Sequence, residues 1–247
     1  MITDYFDKIF IINLKRREDR WKECLKELAY NNISINDIER FEACDRPENG
    51  HVGCTRSHRI LIRLIAASNW KRVLVLEDDF QVITRDVLTA GGFKSFSPAG
   101  LTFETVLHGD GDLSERFDYL TKFIPDKWDV LYLGASYGED PISRVNEHVI
   151  RCGFMQGTSS YGITNEFAKV WTQKVDDSLN SVEGTGGEDL IRHPGPIDSV
   201  FGRMSHDHLY YVLQPRLMTQ RASFSDLDGG TNSRRGQGMD VRHEGMV

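Results

Sequence analysis

Cysteine is scarce in this sequence, and the four residues present are far apart. Cys24, Cys44, Cys54 and Cys152 include no pair separated by only two residues and no closely spaced series. This spacing argues against a zinc-binding motif and against the disulfide framework of a small secreted domain. We therefore predict free thiols in a reducing compartment, where cysteine behaves as a small apolar side chain.

An excess of basic residues is also missing, as is any apolar segment long enough to cross a membrane. The sequence has 30 Lys and Arg residues against 37 Asp and Glu residues, a net charge of −7. This balance argues against a general nucleic-acid binder, because phosphate contacts need a basic surface. The best apolar segment, 60–68, is short and interrupted by Arg63, and the N-terminus lacks the basic segment of a secretory signal. We predict a cytoplasmic protein without a membrane span.

Three common signatures of nucleotide and ester chemistry do not occur. The sequence contains no G-x-G-x-x-G, no G-x-x-x-x-G-K-[ST] and no G-x-S-x-G. These absences argue against a dinucleotide-binding Rossmann domain, a P-loop enzyme and an α/β-hydrolase.

What the sequence does contain is a succession of buried-strand and amphipathic-helix patterns. Residues 8–14 and 71–80 are apolar without alternation, which is typical of strands buried on both faces. Within 17–32, apolar residues from Trp21 to Leu28 recur at helical spacing. The succession predicts an open α/β sheet, mostly parallel and flanked by helices. Further strands are predicted at 128–135, 157–164 and 209–220, the last interrupted at Pro215, and further helices at 57–70, 113–124, 165–175 and from near Asp198.

Capping residues and loop composition complete the predicted organisation. Ser57 and Asn165 are expected to cap the helices that they precede. Residues 1–230 are predicted to form a single domain, in which the glycine-rich stretch 90–113 is a loop insertion and after which 231–247 is a flexible tail.

Three consecutive carboxylates, Glu77, Asp78 and Asp79, end the apolar strand that begins at residue 71. In open α/β sheets, ligands bind beyond the carboxyl ends of the strands. Adjacent carboxylates repel one another and lose hydration near a core, so a divalent cation with oxygen ligands is a natural partner. Alternation in an extended segment would place Glu77 and Asp79 on one side and Asp78 on the other. A solvated acidic turn or a helix cap is the competing interpretation.

A second acidic pair, Asp110 and Asp112, also has the D-x-D spacing of a metal site. It lies within the glycine-rich insertion, with glycine on both sides of Asp110. A turn is the favoured interpretation of this pair.

Four basic residues, Lys15, Arg16, Arg17 and Arg20, follow the first predicted strand. Because they lie at the same edge of the predicted sheet as the acidic triplet, they could hold a diphosphate through charge-assisted hydrogen bonds. The alternative is an exposed helix face on which the acidic residues at positions 18 and 19 neutralise the arginines.

Gly53, Ser57 and His58 are predicted to lie just before a helix. A helix N-terminus binds anions and hydroxyl-rich ligands. A structural role for the single histidine is the alternative interpretation.

Six segments in order resemble glycosyltransferase family 25, which includes bacterial lipooligosaccharide β-galactosyltransferases and procollagen galactosyltransferases. The likeness runs through nearly the whole chain. It implies a GT-A fold of Rossmann-like type, a UDP-activated sugar donor, a divalent metal (Mn²⁺, or Mg²⁺) and inversion at the anomeric carbon. The segments are IFIINLKRREDRW, GHVGCTRSHRILIRLIAAS, VLVLEDDF, WDVLYLG, GTSSYGIT and PIDSVF.

The resemblance also implies roles for individual residues. Glu77, Asp78 and Asp79 correspond to a D-x-D-type element, with Glu77 and Asp79 on the metal and Glu77 and Asp78 at the diphosphate. Asp198 is implied to be the base that accepts the proton of the acceptor hydroxyl. The remaining donor-binding residues are implied to be Asn13, Leu14, Arg16, Arg17, Arg20, Ser57, His58, Gly157, Thr158 and Tyr161.

A third metal ligand is expected from the C-terminal part of the chain. The candidates are His206, Asp207, His208 and Asp226, and a similar sequence context in relatives favours Asp226.

The resulting prediction is an inverting, metal-dependent glycosyltransferase that moves a hexose, galactose or glucose, from a UDP-sugar to a hydroxyl of a glycan or glycoconjugate. Two other functions fit the same residues. A metal-dependent phosphohydrolase would release phosphate or nucleotide without an acceptor, and a sugar-nucleotide binding protein would bind the donor without turnover.

Overall fold

An eight-stranded sheet with helices on both faces forms the centre of the protein. The computed structural model describes residues 1–84, 113–137, 141–183, 197–202, 204–221, 224–225 and 230–231. The helices are α1 (Ile2–Tyr5), α2 (Glu18–Tyr30), α3 (Gly50–Ala67), α4 (Leu113–Thr121), α5 (Asn165–Glu183) and α6 (Ile197–Gly202), with a 3₁₀ turn at Ile35–Asp37. The strands are β1 (Lys8–Asn13), β2 (Ile38–Glu42), β3 (Arg72–Glu77), β4 (Phe80–Val82), β5 (Val130–Tyr137), β6 (Ser143–Arg144), β7 (Val149–Arg151), β8 (Met155–Thr164), β9 (Tyr210–Leu213), β10 (Met218–Gln220), β11 (Phe224–Ser225) and β12 (Gly230–Thr231).

The order of strands in the large sheet is β2-β1-β3-β8-β5-β9-β7-β6. The pairs β1–β2, β1–β3 and β5–β9 are parallel, whereas β8 is antiparallel to both β3 and β5. Strand β7 is antiparallel to β9 and β6, so only β7 and β8 of the eight strands run against the others. The predicted α/β class, with a mostly parallel open sheet flanked by helices, is confirmed.

The direction of β8 determines which residues meet at one edge of the sheet. Because β1 and β3 are parallel neighbours, their carboxyl ends lie side by side, at Asn13 and Glu77. Since β8 runs the opposite way, its amino-terminal part, near Thr158, lies at that same edge. The predicted acidic site therefore lies between two strand ends and one strand beginning.

Each strand of the sheet centre contributes side chains to two apolar layers. Val73 and Val75 of β3 belong to the layer covered by α3, α5 and α6. Leu74 and Leu76 belong to the opposite layer, covered by α1, α2, α4 and the small β4–β10 sheet. This arrangement explains the uninterrupted apolar sequence of β3 and confirms that the strand is buried on both faces.

Two predicted helix caps are wrong. Helix α3 begins seven residues before Ser57, and its N-cap is Asn49, whose side chain accepts the Val52 N–H. At the start of α5 the Thr164 hydroxyl accepts the Phe167 N–H at 3.2 Å. The amide of Asn165 instead donates to the carbonyls of Ile65 and Ser68, at the end of α3.

The predicted interruption of the 209–220 strand is confirmed. Strands β9 and β10 belong to different sheets and are separated by a cis peptide bond at Gln214–Pro215. All four cysteines are free, as predicted. Within the described ranges, no helix has the length and apolarity needed to cross a membrane.

Several predicted features lie outside the described residues. They are the insertion at 90–113 apart from Leu113, which begins α4, the acids Asp110, Asp112 and Asp226, and the tail at 231–247 apart from Thr231, which belongs to β12.

Candidate active site

The acidic triplet lies at the exit of β3, close to the core. Glu77 is the last residue of β3, and Asp78 and Asp79 form the turn that leads into β4. Asp78 is only 6% exposed and Asp79 only 7%. Carboxylates with so little access to water need partners, because burial without them is unfavourable.

Asp78 and Asp79 share one guanidinium in what we call the arginine clamp, formed by Asn13, Arg20, Asp78, Asp79 and Gln220. Arg20 donates to Asp78 and, at 3.0 Å, to Asp79 Oδ2. The Asn13 amide donates to Asp78 Oδ2 at 2.7 Å, and the Gln220 amide lies 3.4 Å from both oxygens of Asp79. Asn13 ends β1 and Arg20 lies in the first turn of α2, so the clamp follows from the β1–α2 connection.

A second arginine fixes the orientation of Asn13. Arg40 of β2 donates to Asn13 Oδ1 from Nη2 at 2.6 Å and from Nε at 3.0 Å. This contact leaves the Asn13 amide nitrogen directed at Asp78. Behind the turn, the Arg221 N–H donates to the carbonyl of Asp79 at 2.7 Å and its Nη2 donates to that of Asp78 at 3.1 Å.

The clamp does not fully offset the negative charge. Burial, followed by the charge of Glu77, raises the pKa of Asp79 to about 7. Burial also raises the pKa of Asp78, although Arg20 opposes the shift. One guanidinium therefore faces three carboxylates, and a further cation would stabilise their ionised forms.

Glu77 faces a different set of side chains, which we call the histidine cluster: Cys54, His58, Glu77, Thr158 and Tyr161. The Thr158 hydroxyl donates to Glu77 Oε1 at 2.7 Å. His58 Nε2 lies 3.3 Å from the same oxygen, and His58 Nδ1 is hydrogen-bonded to the Tyr161 hydroxyl at 2.9 Å. Cys54 and His58 come from α3, and Thr158 and Tyr161 come from β8.

The pKa values of Glu77 and Cys54 in this cluster shift in opposite directions. Burial opposes ionisation of Glu77, but the contacts with His58 and Thr158 outweigh it, and the pKa of Glu77 lies below its ordinary value. Burial and then the charge of Glu77 raise the pKa of the Cys54 thiol well above its ordinary value. The cluster thus holds an ionised carboxylate beside a protonated thiol.

Asp198 approaches the cluster from α6. The Gly157 N–H donates to Asp198 Oδ2 at 3.3 Å, and the next residue, Thr158, contacts Glu77. Gly157 has a φ of 87°, a conformation that glycine adopts without steric cost. The charge of Asp198 also contributes to the raised pKa of Cys54, so the predicted base and the acidic triplet are close in space.

The basic residues predicted to hold a diphosphate have separate partners. Arg16 pairs with Asp45 at 2.8 Å, Arg17 pairs with Asp19 at 2.7 Å, and Lys15 lies 3.9 Å from Glu42. Arg20, the fourth of the predicted basic residues, forms ion pairs with Asp78 and Asp79 of the acidic triplet. The backbone of Leu14 closes the intervening turn by accepting the Arg17 N–H at 2.9 Å.

Ser57 lies in the third turn region of α3 rather than before the helix. Its hydroxyl donates to the Gly53 carbonyl and accepts the Cys44 N–H, both at 2.8 Å, and the residue is fully buried. A Cβ at Gly53 would lie 2.6 Å from the Cys44 carbonyl oxygen. Both residues therefore attach α3 closely to the segment after β2, and both lie within the helix rather than before it.

Of the four candidates for a third metal ligand, Asp226 lies outside the described residues. His208 Nδ1 lies 3.3 Å from Asp129, which directly precedes β5 and hence is at the opposite edge of the sheet. His206 and Asp207 are exposed.

Cys54 is the member of the histidine cluster that sequence reasoning missed. Its distance in sequence from the other cysteines gave no metal motif, and its position four residues before His58 places both on one face of α3. No signal for this pairing was available in the sequence, because the predicted helix began at residue 57, after Cys54.

The chain has structural likeness to known glycosyltransferases but no demonstrated family. No protein-family model matches the sequence, and no curated protein matches it significantly. The glycosyltransferase GlyE of Streptococcus pneumoniae TIGR4 is similar with a TM-score of 0.41 and 11% identity over 84% of this chain and 45% of GlyE. The apo form of GlyE is similar with a TM-score of 0.40 and 11% identity, over the same shares of the two chains. The chain thus spans about half the length of these two structures.

A third similar structure is a glycosyltransferase involved in the glycosylation of the major capsid of PBCV-1. Its TM-score is 0.34, with 10% identity over 84% of this chain and 92% of that one. TM-scores and identities this low carry no argument about the function of this chain.

The donor atoms at the triplet fit a hard divalent cation. Mn²⁺ and Mg²⁺ prefer carboxylate oxygens, and Glu77 and Asp79 supply them beside a site with excess negative charge. The charge of Glu77 contributes to the raised pKa of Asp79, and a cation bound between the two carboxylates would offset this repulsion.

Proposed function

We propose that the protein is an inverting, metal-dependent glycosyltransferase of GT-A type that uses a UDP-hexose. The observation that carries the proposal is the meeting of two acidic groups with different environments. A buried triplet at the exit of β3 lies close to Asp198 at the start of α6, and Gly157 and Thr158 of β8 connect them. Metal-dependent glycosyl transfer needs both acidic groups. One binds the cation that stabilises the departing diphosphate, and the other accepts the proton of the acceptor hydroxyl.

Glu77 and Asp79 would hold the metal ion, with Mn²⁺ or Mg²⁺ as the expected cation and Asp226 as a further candidate ligand. When bound, the ion stabilises negative charge on the departing diphosphate. Metal binding at Asp79 would displace a proton to solvent, because the pKa of about 7 leaves this carboxyl group partly protonated near neutral pH.

Asp198 would accept the proton of the acceptor hydroxyl as that oxygen attacks the anomeric carbon. The Gly157 N–H donates to Asp198 Oδ2 at 3.3 Å, and this contact places the carboxylate at the start of β8. A positioned carboxylate of this kind contributes typically about 10²–10⁴-fold to rate. In a single displacement the sugar bond to the diphosphate breaks as the new bond forms on the opposite face, which gives inversion.

The finer features of the proposal come from the resemblance to glycosyltransferase family 25. They are the uridine nucleotide, galactose or glucose as the sugar, and a glycan or glycoconjugate hydroxyl as acceptor. Asn13 and Arg20 lie at the edge where that resemblance places the nucleotide, and the clamp holds both.

A panel of UDP-sugars with Mn²⁺ tests the proposal. We expect slow, metal-dependent donor hydrolysis with one preferred sugar, and a glycosidic product when a suitable acceptor is added. Asp198→Asn should lower transfer by about 10²–10⁴-fold without a change in melting temperature, because it removes the base and keeps the hydrogen-bond acceptor. Asp126→Asn, at an exposed position outside the site, is the matched control.

Other outcomes would identify the rival functions. Rapid release of phosphate or nucleotide that no acceptor alters would indicate a phosphohydrolase. Donor binding without any turnover, unchanged in Asp198→Asn, would indicate a sugar-nucleotide binding protein.

A further inference from the structure

A fully buried histidine in the histidine cluster has an unsatisfied nitrogen. His58 is 0% exposed, and within the described part of the chain its Nε2 makes no hydrogen bond. The nitrogen lies 3.3 Å from Glu77 Oε1 without the geometry of a hydrogen bond. A buried polar atom without a hydrogen bond is costly, so a ligand for that nitrogen would stabilise the site.

Three potential ligand atoms converge at this nitrogen. Cys54 Sγ, His58 Nε2 and a carboxylate oxygen of Glu77 all lie within 4.8 Å of one another. Bonds of about 2.0–2.3 Å to a tetrahedral ion place its ligand atoms roughly 3–4 Å apart. The three ligand atoms would therefore have to move closer together, through side-chain rotation at Cys54 and Glu77, when the ion binds.

The surrounding hydrogen bonds are those that orient metal ligands. A metal-binding histidine usually makes a hydrogen bond through its other ring nitrogen, and ligating carboxylates are themselves hydrogen-bonded. Here His58 Nδ1 is hydrogen-bonded to the Tyr161 hydroxyl at 2.9 Å, and the Thr158 hydroxyl donates to Glu77 at 2.7 Å. Both outer partners come from β8 and are buried.

The donor set selects a different class of ion from the acidic triplet. Thiolate and imidazole favour Zn²⁺ and similar borderline ions, whereas Mn²⁺ and Mg²⁺ favour all-oxygen sites. Residues four apart on one helix plus a third ligand from a strand end give three protein ligands. A tetrahedral ion would keep its fourth position for water or a bound molecule.

We propose that Cys54, His58 and Glu77 form a binding site for a thiophilic divalent ion of the Zn²⁺ class. Binding replaces the thiol proton of Cys54 with a metal–sulfur bond, and the proton passes to solvent without any change in oxidation state. The site does not depend on the proposed transfer reaction. Because Glu77 would serve both ions, a thiophilic ion bound here would compete with Mn²⁺ for that carboxylate.

Cobalt spectroscopy of the purified full chain tests the site directly. Co²⁺ is a spectroscopic substitute for Zn²⁺, and a cysteine thiolate bound to it gives a charge-transfer absorption in the near ultraviolet. We expect this absorption with one Co²⁺ per chain, its loss on addition of Zn²⁺, and its absence in Cys54→Ala. Cys152→Ala, which removes another buried cysteine, is the matched control and should retain it.

The Tyr161→Phe variant tests whether the hydrogen bond between Tyr161 and His58 supports metal binding. Removal of the outer hydroxyl should retain the absorption and weaken Co²⁺ binding by about 10–100-fold, the usual effect of an outer-shell partner. Circular dichroism and melting temperature check that each variant is folded. If Cys54→Ala fails to fold, a triple variant that keeps only Cys54 replaces it. This variant carries Cys24→Ala, Cys44→Ala and Cys152→Ala, and it should retain the absorption if Cys54 is the ligand.

Absence of the thiolate absorption in the wild-type protein, or its persistence in Cys54→Ala, would overturn the proposal. Failure of the proposed function is distinguishable, because Asp198→Asn should lower transfer by about 10²–10⁴-fold and keep the cobalt absorption. A protein with the absorption and without transferase activity would support the metal site alone.

Discussion

Asp78 and Glu77 are neighbours in the chain, but they face different layers of the protein and have different partners. In the arginine clamp, each carboxylate oxygen of Asp78 accepts a hydrogen bond, one from a guanidinium and one from an amide. In the histidine cluster, Glu77 receives one hydroxyl and lies beside an unsatisfied histidine nitrogen and a thiol. The difference indicates that the clamp organises the acidic turn, whereas the cluster has unused capacity for ligands.

The largest expected effect on stability comes from the clamp. Arg20→Met should lower the free energy of unfolding by about 3–5 kcal/mol, because it leaves two buried carboxylates without their cation. Chemical denaturation in the presence of a chelator measures the change. Arg16→Met is the control, since its partner Asp45 is exposed and such pairs are worth about 0–1 kcal/mol. Equal effects of the two substitutions would contradict a structural role for the clamp.

The next effect concerns activity rather than stability. Glu77→Gln should lower metal-dependent transfer at least about 100-fold, because a metal ligand contributes several kcal/mol to charge stabilisation and each 1.36 kcal/mol is tenfold in rate. Its hydrogen bond with Thr158 can persist, so the melting temperature should change little. Glu42→Gln, at an exposed position, is the control. A stable Glu77→Gln variant with wild-type activity would exclude Glu77 from the chemistry.

The smallest expected effect is a pH-dependent gain in stability in Asp79→Asn. The pKa of Asp79 is about 7 when folded against 3.8 as the ordinary value, so the folded protein binds this proton more tightly. Ionisation of Asp79 therefore lowers the free energy of unfolding of the wild-type protein as pH rises from about 4 to about 7. The variant should gain stability at pH about 8 relative to pH about 5, by on the order of 1–2 kcal/mol.

Thermal unfolding of Asp79→Asn at the two pH values, in chelator, measures that gain. Asp45→Asn, at an exposed pair, should show no comparable pH difference. A variant less stable than wild type at the higher pH would mean that Asp79 is ionised and well compensated by Arg20.

The central strands were predictable because their chemistry is local. Apolar residues of β3 and β5 are buried on both faces, so their sequences carry the signal directly. Strand β2 was missed because it is an edge strand with half-exposed residues such as Arg40. The direction of β8 was also missed, since the sequence of a strand does not specify its orientation relative to its neighbours.

The site was predicted in part for the same reason. The three acids follow a recognisable strand, so their place at the sheet edge could be inferred from residue order. The binding of Asp78 and Asp79 to one arginine, Arg20, could not be inferred in this way. The strand ends at Glu77, and the turn that follows breaks the alternation of side chains. Cys54 and Glu77 are brought together by the packing of α3 on the sheet, which depends on tertiary structure.

Titration calorimetry of UDP with Mn²⁺ tests most directly the claim that the histidine side of the acidic triplet is the part that binds ligand. We expect that the wild-type protein binds UDP tightly only with Mn²⁺. The Glu77→Gln variant should lose this metal-dependent binding and keep its melting temperature in chelator. Binding of UDP that is equal with and without Mn²⁺, or equal in wild type and Glu77→Gln, would contradict it.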